Sequence, residues 1–489
     1  MKKIVLLALM LAPFSAFAQS NNVQKYIKNV LQADPLFQNA VVGIYAEDAK
    51  GECVAQWNPD LPLLTASTMK TITTGAAITI LGKDFRYETT VAYTGEIKDS
   101  ILEGDVWIIG GGDPTLGSTF PGAIPIEEIF GAWKGALDSL GIKEINGRII
   151  ADDTYLTDEM IPDSWTWGNI GYNYGCGPSG LCYYENTQDF YLSPSESVGH
   201  PAILTGTYPE VPGLDIRTYI NTGDSVSRYS TWCYLQNITP TTELHGNLPI
   251  SRGDVKRNFS NKYPHLGCAK EFEKYLVNNG IVCNTTIEDV DNVETPADGE
   301  LRKIKTTYSP TMSVIVDETN LVSNNLFAEN LFKSLGKEVT GVGSYDSARV
   351  VVERWLTEQG VDMTGYTQDD GSGLSRENYV SPRFFTKYYK MMMKNDTFAE
   401  YLASFPVPGK ERGTLKNVLK DDVEEVKARV HAKSGSLSCV RCYAGYVDCA
   451  QGPIRFAILV NNFAAKTSEM QPKIEGFMRQ LSIYAGKKK

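Results

Sequence analysis

Apolar residues recur at helical spacing over 23–33, "VQKYIKNVLQA", and then give way to the alternation of strands in "AVVGIYAEDAKGECVAQWN". That second stretch predicts two strands around a turn at Ala49-Lys50-Gly51. A loop with Pro59 and Pro62 follows. Thr65 or Ser67 then opens a helix that runs to about Leu81, with Gly82 as its stop. After Asp84 the texture changes. "RYETTVAYTG", "SILEGDVWIIGGGD" and "INGRIIADD" read as strands and "IEEIFGAWKGALDSLG" as a helix, which predicts a small α/β unit over about 104–152. Residues 165–270 are rich in Tyr, Trp, Gly, Pro and Ser, and predict short strands and long loops. Residues 268–281 read as a helix, and helical periodicity returns over 309–336, 343–359, 383–395 and 467–485. Before the last helix, "GYVDCAQGPIRFAILVNNF" reads as a hairpin of two apolar strands.

This order predicts an α+β fold. A helix-and-sheet domain, 19–83 plus 301–489, is interrupted by a long insertion, 84–300, and the first and last hairpins share one antiparallel sheet. A chain of 489 residues is long enough for two or three cores.

Three features of composition narrow the class. Lys2 and Lys3, the apolar run "IVLLALMLAPF" and Ala16-Phe17-Ala18 form an export signal over residues 1–18, so a mature chain would begin at Gln19 and reside in the periplasm or cell envelope. That run is too short to span a bilayer, so any membrane contact is peripheral. The net charge of −11 argues against nucleic acid as a partner, because that needs a basic face. The terminal Lys487-Lys488-Lys489 reads as a solvated tail. Nine cysteines in an exported chain leave at least one unpaired. Cys176 with Cys182, and Cys268 with Cys283, are candidate local bridges. Cys439-Val440-Arg441-Cys442 lacks the companions of a zinc site, and on a strand its two thiols face opposite ways.

The candidate chemistry begins at "TASTMK", residues 65–70. Ser67 and Lys70 stand at i and i+3, on one helix face. A lysine can take the serine proton if burial or cationic neighbours lower its pKa. Ser67 alone is equally suited to an N-cap. The tetrad also has a second copy, Ser334-Leu335-Gly336-Lys337, which reads as a solvent-facing pair because Gly336 signals a helix end. Two further motifs lie downstream: Ser323-Asn324-Asn325 and Lys433-Ser434-Gly435. Ser323 can relay a proton to a leaving amine, and Asn325 offers a donor and an acceptor to a substrate amide. Lys433 supplies charge for a carboxylate. Gly435 lets a substrate backbone lie close, where the N–H groups of Ser436 and Ser67 can form an oxyanion hole. Ser20-Asn21-Asn22 repeats the second motif beside the cleavage site. "IIGGGDP" (108–114) is not a dinucleotide fingerprint and reads as a backbone turn. The four histidines form no zinc-peptidase or serine–histidine pattern, so neither a metal nor a cofactor is expected.

S-x-x-K, S-x-N and K-[S/T]-G in this order resemble the penicillin-recognising serine enzymes. The long gap from Lys70 to Ser323 resembles the penicillin-binding protein 4 type of D-alanyl-D-alanine carboxypeptidase/endopeptidase, in which two smaller domains are nested between the first two motifs. Residues 84–116, "ADDTYL" (151–156) and "DGSGLSRENYVSP" (370–382) are similar to other signatures of that family. The resemblance implies a transpeptidase-like catalytic domain acting on peptidoglycan stem peptides and acylated by β-lactams, with no cofactor. It implies Ser67 as nucleophile, Lys70 as base, Ser323 and Asn325 as the second pair, and Lys433, Ser434 and Gly435 against the substrate carboxylate. It also implies that Arg376 and Asp152, or Asp153 by adjacency, hold the polar end of a diaminopimelate-type side chain. Ser434 stands where threonine is common, and the hydroxyl is kept. Two rival readings share the fold: a serine β-lactamase, against which the insertion argues, and a non-catalytic peptidoglycan-binding scaffold.

Overall fold

A computed structural model describes residues 21–235 and 239–487. The expected export signal, Ser20 of the decoy motif, and Lys488 and Lys489 of the tail lie outside these residues.

The first and last hairpins meet in one five-stranded sheet. Val41–Glu47 pairs antiparallel with Cys53–Trp57 on one side and with Ile454–Asn461 on the other. Val440–Val447 follows, and Val430–Leu437 forms the far edge. Ile454–Asn461 is buried at every position, as a strand covered on both faces must be. Helices Asn22–Ala33 and Thr467–Lys487 cover one face, where Val23, Ile27, Ile474 and Phe477 pack on Ile44, Phe456 and Ile458. Helices Lys70–Ile80, Met312–Leu321, Asn325–Thr340 and Pro382–Met392 cover the other, around Ile72, Phe327, Leu331, Phe384 and Leu459. Arg455, a charge buried within strand Ile454–Asn461, is matched by the Glu47 carboxylate and the Asp48 carbonyl, as a buried guanidinium requires.

From Glu88 the chain builds a second core. A seven-stranded mixed sheet holds Glu88–Tyr93, Val106–Ile109, Glu144–Asp152, Val282–Asp289 and Arg302–Tyr308 among its strands. Helices Ile126–Ser139 and Pro264–Asn278 pack on it through Trp133 and Phe272. The returning strand Arg302–Tyr308 pairs with the outgoing strand Glu88–Tyr93, so the chain leaves and re-enters side by side. Two three-stranded sheets between Thr187 and Ser260 complete the insertion. The turn expected over 108–114 forms instead at 114–117; the glycines of 110–112 are irregular backbone held by Gly110 N to Asp152 O and Gly112 N to Gly180 O, and a Cβ on Gly110 would stand 2.3 Å from Gly180 O.

Three further expectations need correction. The helical run at 309–336 is two helices, broken at Ser323, whose φ is +67. Ser334 is not solvent-facing: it is fully buried, and its helix continues through Gly336 to Thr340, where Gly341 at φ +83 ends it. Gly336 serves close helix approach instead, since a Cβ there would stand 2.2 Å from Ser347 Oγ. Cys176, Cys182, Cys268 and Cys283 are free thiols. Cys176 and Cys182 share one core, and Cys268 and Cys283 another, yet the thiols find other partners: Cys182, for instance, donates to Ser179 O and Asn330 Oδ1.

Candidate active site

The helix after Pro62 begins with a tight turn. Ala66–Met69 is 3₁₀, and the α-helix proper starts at Lys70. Ala66 has φ +44, a left-handed value that costs a non-glycine residue energy and is held by its surroundings. Thr65 occupies the N-cap and no side chain caps the turn. The Ser67 hydroxyl is therefore not a cap. It lies 3.1 Å from Lys70 Nζ, which donates to it.

Lys70 is fully buried and places all three of its donors: on Ser67 Oγ, on Asn325 Oδ1 at 2.5 Å and on Ser372 O at 2.8 Å. Burial pushes its pKa down to about 7, against the pull of the Glu329 and Asp370 carboxylates. Asn325 is fixed at both ends, because its Nδ2 donates to Tyr174 O at 2.6 Å. The left-handed Ser323 turns the chain into the next helix, which Asn324 caps by accepting from Phe327 N at 3.1 Å. That reversal aims the Ser323 hydroxyl at Lys433 Nζ, 2.8 Å away. Lys433 is also fully buried. Burial first, then the charges of Lys70 and Arg441, hold its pKa well below the ordinary lysine value.

Strand Val430–Leu437 is an edge strand, paired only with Val440–Val447. Ala432 donates its N–H outward to Pro406 O. By the two-residue period of a strand, Ser434 and Ser436 present their N–H groups to the same open edge. Gly435 lies against the serine turn: a Cβ there would stand 2.6 Å from Thr65 O and 3.0 Å from Ser67 N. The glycine is a close approach that no side chain permits. It brings the strand against the Ser67 N–H, which has no helical acceptor so near the start of its turn, and Ser67 and Ser436 line the same cavity.

Ser67, Ser323, Asn325, Ser434 and Ser436 line one cavity of about 550 Å³, together with Tyr174, Asn169 and Thr166 from the insertion, while Lys70 and Lys433 are buried behind it. Among the described residues its charged lining groups are Arg376 and Arg441, with no carboxylate. Arg376 is exposed. Arg441 donates to Tyr443 Oη through Nε and Nη2, at 3.0 and 2.6 Å. Asp152 is not brought to this cavity. It ends strand Glu144–Asp152 and accepts from Thr154 N and Oγ1. Asp153 lines a different cavity. Cys439 is exposed at the hairpin turn and Cys442 is buried.

Sequence reasoning missed two buried acids behind Lys70. Glu329 accepts the N–H groups of Gly371 and Ser372 at 2.9 and 2.7 Å. Asp370 accepts from Gly373 N, Ser375 N, Asn378 Nδ2 and Trp165 Nε1. Together they fold the 370–375 loop that offers Ser372 O to Lys70. Burial pushes the Glu329 carboxyl up to about 8 and raises that of Asp370. A signal for Glu329 existed: it follows Asn325 by four residues, one turn along the same helix face.

A family model described as the D-Ala-D-Ala carboxypeptidase 3 (S13) family matches residues 23–481. The chain is 30% identical over 464 residues to the D-alanyl-D-alanine carboxypeptidase of Actinomadura sp. (strain R39), covering 91% of this chain and 82% of that protein. It is 23% identical to the D-alanyl-D-alanine carboxypeptidase DacB of Haemophilus influenzae, covering 88% of each. The crystal structure of penicillin binding protein 4 from Haemophilus influenzae superposes with a TM-score of 0.80 at 21% identity, over 95% of this chain and 99% of that one.

Proposed function

The chain belongs to the D-Ala-D-Ala carboxypeptidase 3 (S13) family, and from that premise we propose that it is a serine peptidase that trims D-alanine from peptidoglycan stem peptides through an acyl-enzyme on Ser67. The observation that carries the reading is Lys70 Nζ, fully buried and placed between Ser67 Oγ and Asn325 Oδ1.

Neutral Lys70 takes the Ser67 proton as Oγ attacks the carbonyl of the penultimate D-alanine. The N–H groups of Ser67 and Ser436 receive the oxyanion. The proton taken by Lys70 returns to the departing amine by way of the Ser323 hydroxyl, which Lys433 orients, and the terminal D-alanine leaves with Lys70 neutral again. Water then cleaves the ester. The substrate carboxylate lies beside Lys433 and the Ser434 hydroxyl, and Asn325 meets the peptide amide. Arg376 reaches the polar end of the third stem residue. Asp152 takes no part, because its carboxylate is committed to Thr154 outside the cavity. The same chemistry cuts D-alanyl cross-links, and β-lactams acylate Ser67 and stay. Export rests on residues 1–18. Among the described residues, no helix is long and apolar enough to cross a membrane.

Intact mass after benzylpenicillin tests this. Wild type gains one penicilloyl group and Ser67→Ala gains none. An adduct on another residue would refute the assignment of Ser67. Rapid nitrocefin turnover in place of a stable adduct would favour a β-lactamase. A folded wild type that no penicillin labels would favour the scaffold.

A further inference from the structure

A second polar cluster lies apart from the cleft, at the carboxyl ends of two parallel strands of the insertion. Glu144–Asp152 and Val282–Asp289 run in parallel register, with Asp289 opposite Ala151. Asp153 follows the first strand and Asp289 ends the second. His265 faces both from the first turn of Pro264–Asn278. The carboxyl ends of parallel strands are where open α/β sheets gather ligands. The cavity here is about 310 Å³ and is also lined by Asp158, Glu159 and Asp291.

The geometry inside is specific. His265 is 4% exposed. Its Nε2 donates to Asp289 Oδ2 at 3.0 Å. Its Nδ1 stands 3.3 Å from Asp153 Oδ2 yet hydrogen-bonds to no described group. A nitrogen and a carboxylate oxygen that are close but not aimed at each other are placed as two ligands of one ion. Donors about 2.0–2.2 Å from a common ion stand about 3.0–3.4 Å apart. The Asp289 contact is the familiar support of a ligating imidazole, since it fixes the tautomer and leaves the other nitrogen for the ion.

We propose that His265 Nδ1 and Asp153 Oδ2 ligate a divalent first-row transition ion, with Asp289 orienting the imidazole and water completing the shell. One imidazole and carboxylates suit such ions, whereas thiol-free oxygen cages suit calcium or magnesium. The positive end of the helix that carries His265 works against a cation. The carboxylates of Asp153, Asp158, Asp289 and Asp291 around it outweigh that.

Co²⁺ titration of the full chain, followed by calorimetry and visible absorption, tests the proposal. The nine cysteines are the competing sites, and a thiolate-to-cobalt charge-transfer band would reveal them. The expected result is one equivalent bound without that band, lost in His265→Ala and weakened about tenfold to a hundredfold in Asp289→Asn. Thermal melts of the metal-free variants check that they fold, and Asp153→Asn replaces His265→Ala if the latter does not. Equal binding by wild type and a folded variant, or a thiolate band, overturns the site. Crystals soaked in Zn²⁺ give the independent measurement: an anomalous peak between Nδ1 and Oδ2 is expected, and a peak only at the cysteines refutes it.

Discussion

The catalytic cleft and the His265 cavity both bury charge, and they balance it in opposite ways. In the cleft two buried lysines adjoin a cavity whose described lining holds no carboxylate, and the acids nearest Lys70, Glu329 and Asp370, lie behind it. Lys70 spends every donor on a protein acceptor, and its burial pushes it toward neutrality. In the His265 cavity carboxylates surround one imidazole, and one ring nitrogen is left without an acceptor. The first arrangement suits a proton acceptor whose partner must be free to react. The second suits a resident cation. Burial alone therefore does not decide what a polar cluster does; which groups are left unsatisfied does.

The largest effect that would break this contrast is expected in the cleft. Ser67→Ala abolishes the penicilloyl adduct. Lys70→Ala slows acylation by about 10³-fold, roughly 4 kcal/mol of barrier, measured as the second-order rate with benzylpenicillin. Gly435→Ala keeps the fold but drives a methyl group toward Thr65 O, so acylation falls by about 10²-fold. Acylation also rises with pH through about 7, because Lys70 is a base only once it has lost its proton, and falls about tenfold per unit below that. Glu329→Gln tests the loop that holds Ser372 O against Lys70. The amide keeps at most one acceptor for the Gly371 and Ser372 N–H groups, which costs about 1–3 kcal/mol in thermal or denaturant unfolding. The smallest effect is the sharpest contrast: His265→Ala leaves penicillin acylation unchanged while removing cobalt binding. A parallel loss of both would show that the two regions are one system.

Much of the catalytic layer was legible because short-range pattern fixes it. The alternation in 40–58 and 445–463 gave strands whose apolar faces had to be covered, and the three motifs gave residues that the fold gathers around one cavity. What stayed hidden depends on distance or on a single step of register. Asp153, His265 and Asp289 lie more than a hundred residues apart at their widest, and no spacing rule joins them. Asp152 and Asp153 are neighbours at a strand end, and pattern could not say which way each would turn. Glu329 sits in "LFAENLF", where apolar periodicity reads as core and masks a buried acid. Gly336 looked like a stop because glycine ends helices and also lets them touch, and only the neighbouring Ser347 separates the two.

The central pairing of Val41–Glu47 with Ile454–Asn461 has a consequence for how the molecule is made. The first strand must wait for nearly the whole polypeptide before its neighbour exists. Closing so long a loop is entropically costly and slow. The insertion, whose outgoing and returning strands pair with each other, can mature while the chain is still growing. Assembly is then expected to run from the middle outward, with the ability to react with penicillin appearing last. Pulse-labelled hydrogen exchange during refolding would show this as protection of Val106–Ile109 ahead of Ile454–Asn461, and simultaneous protection would contradict it.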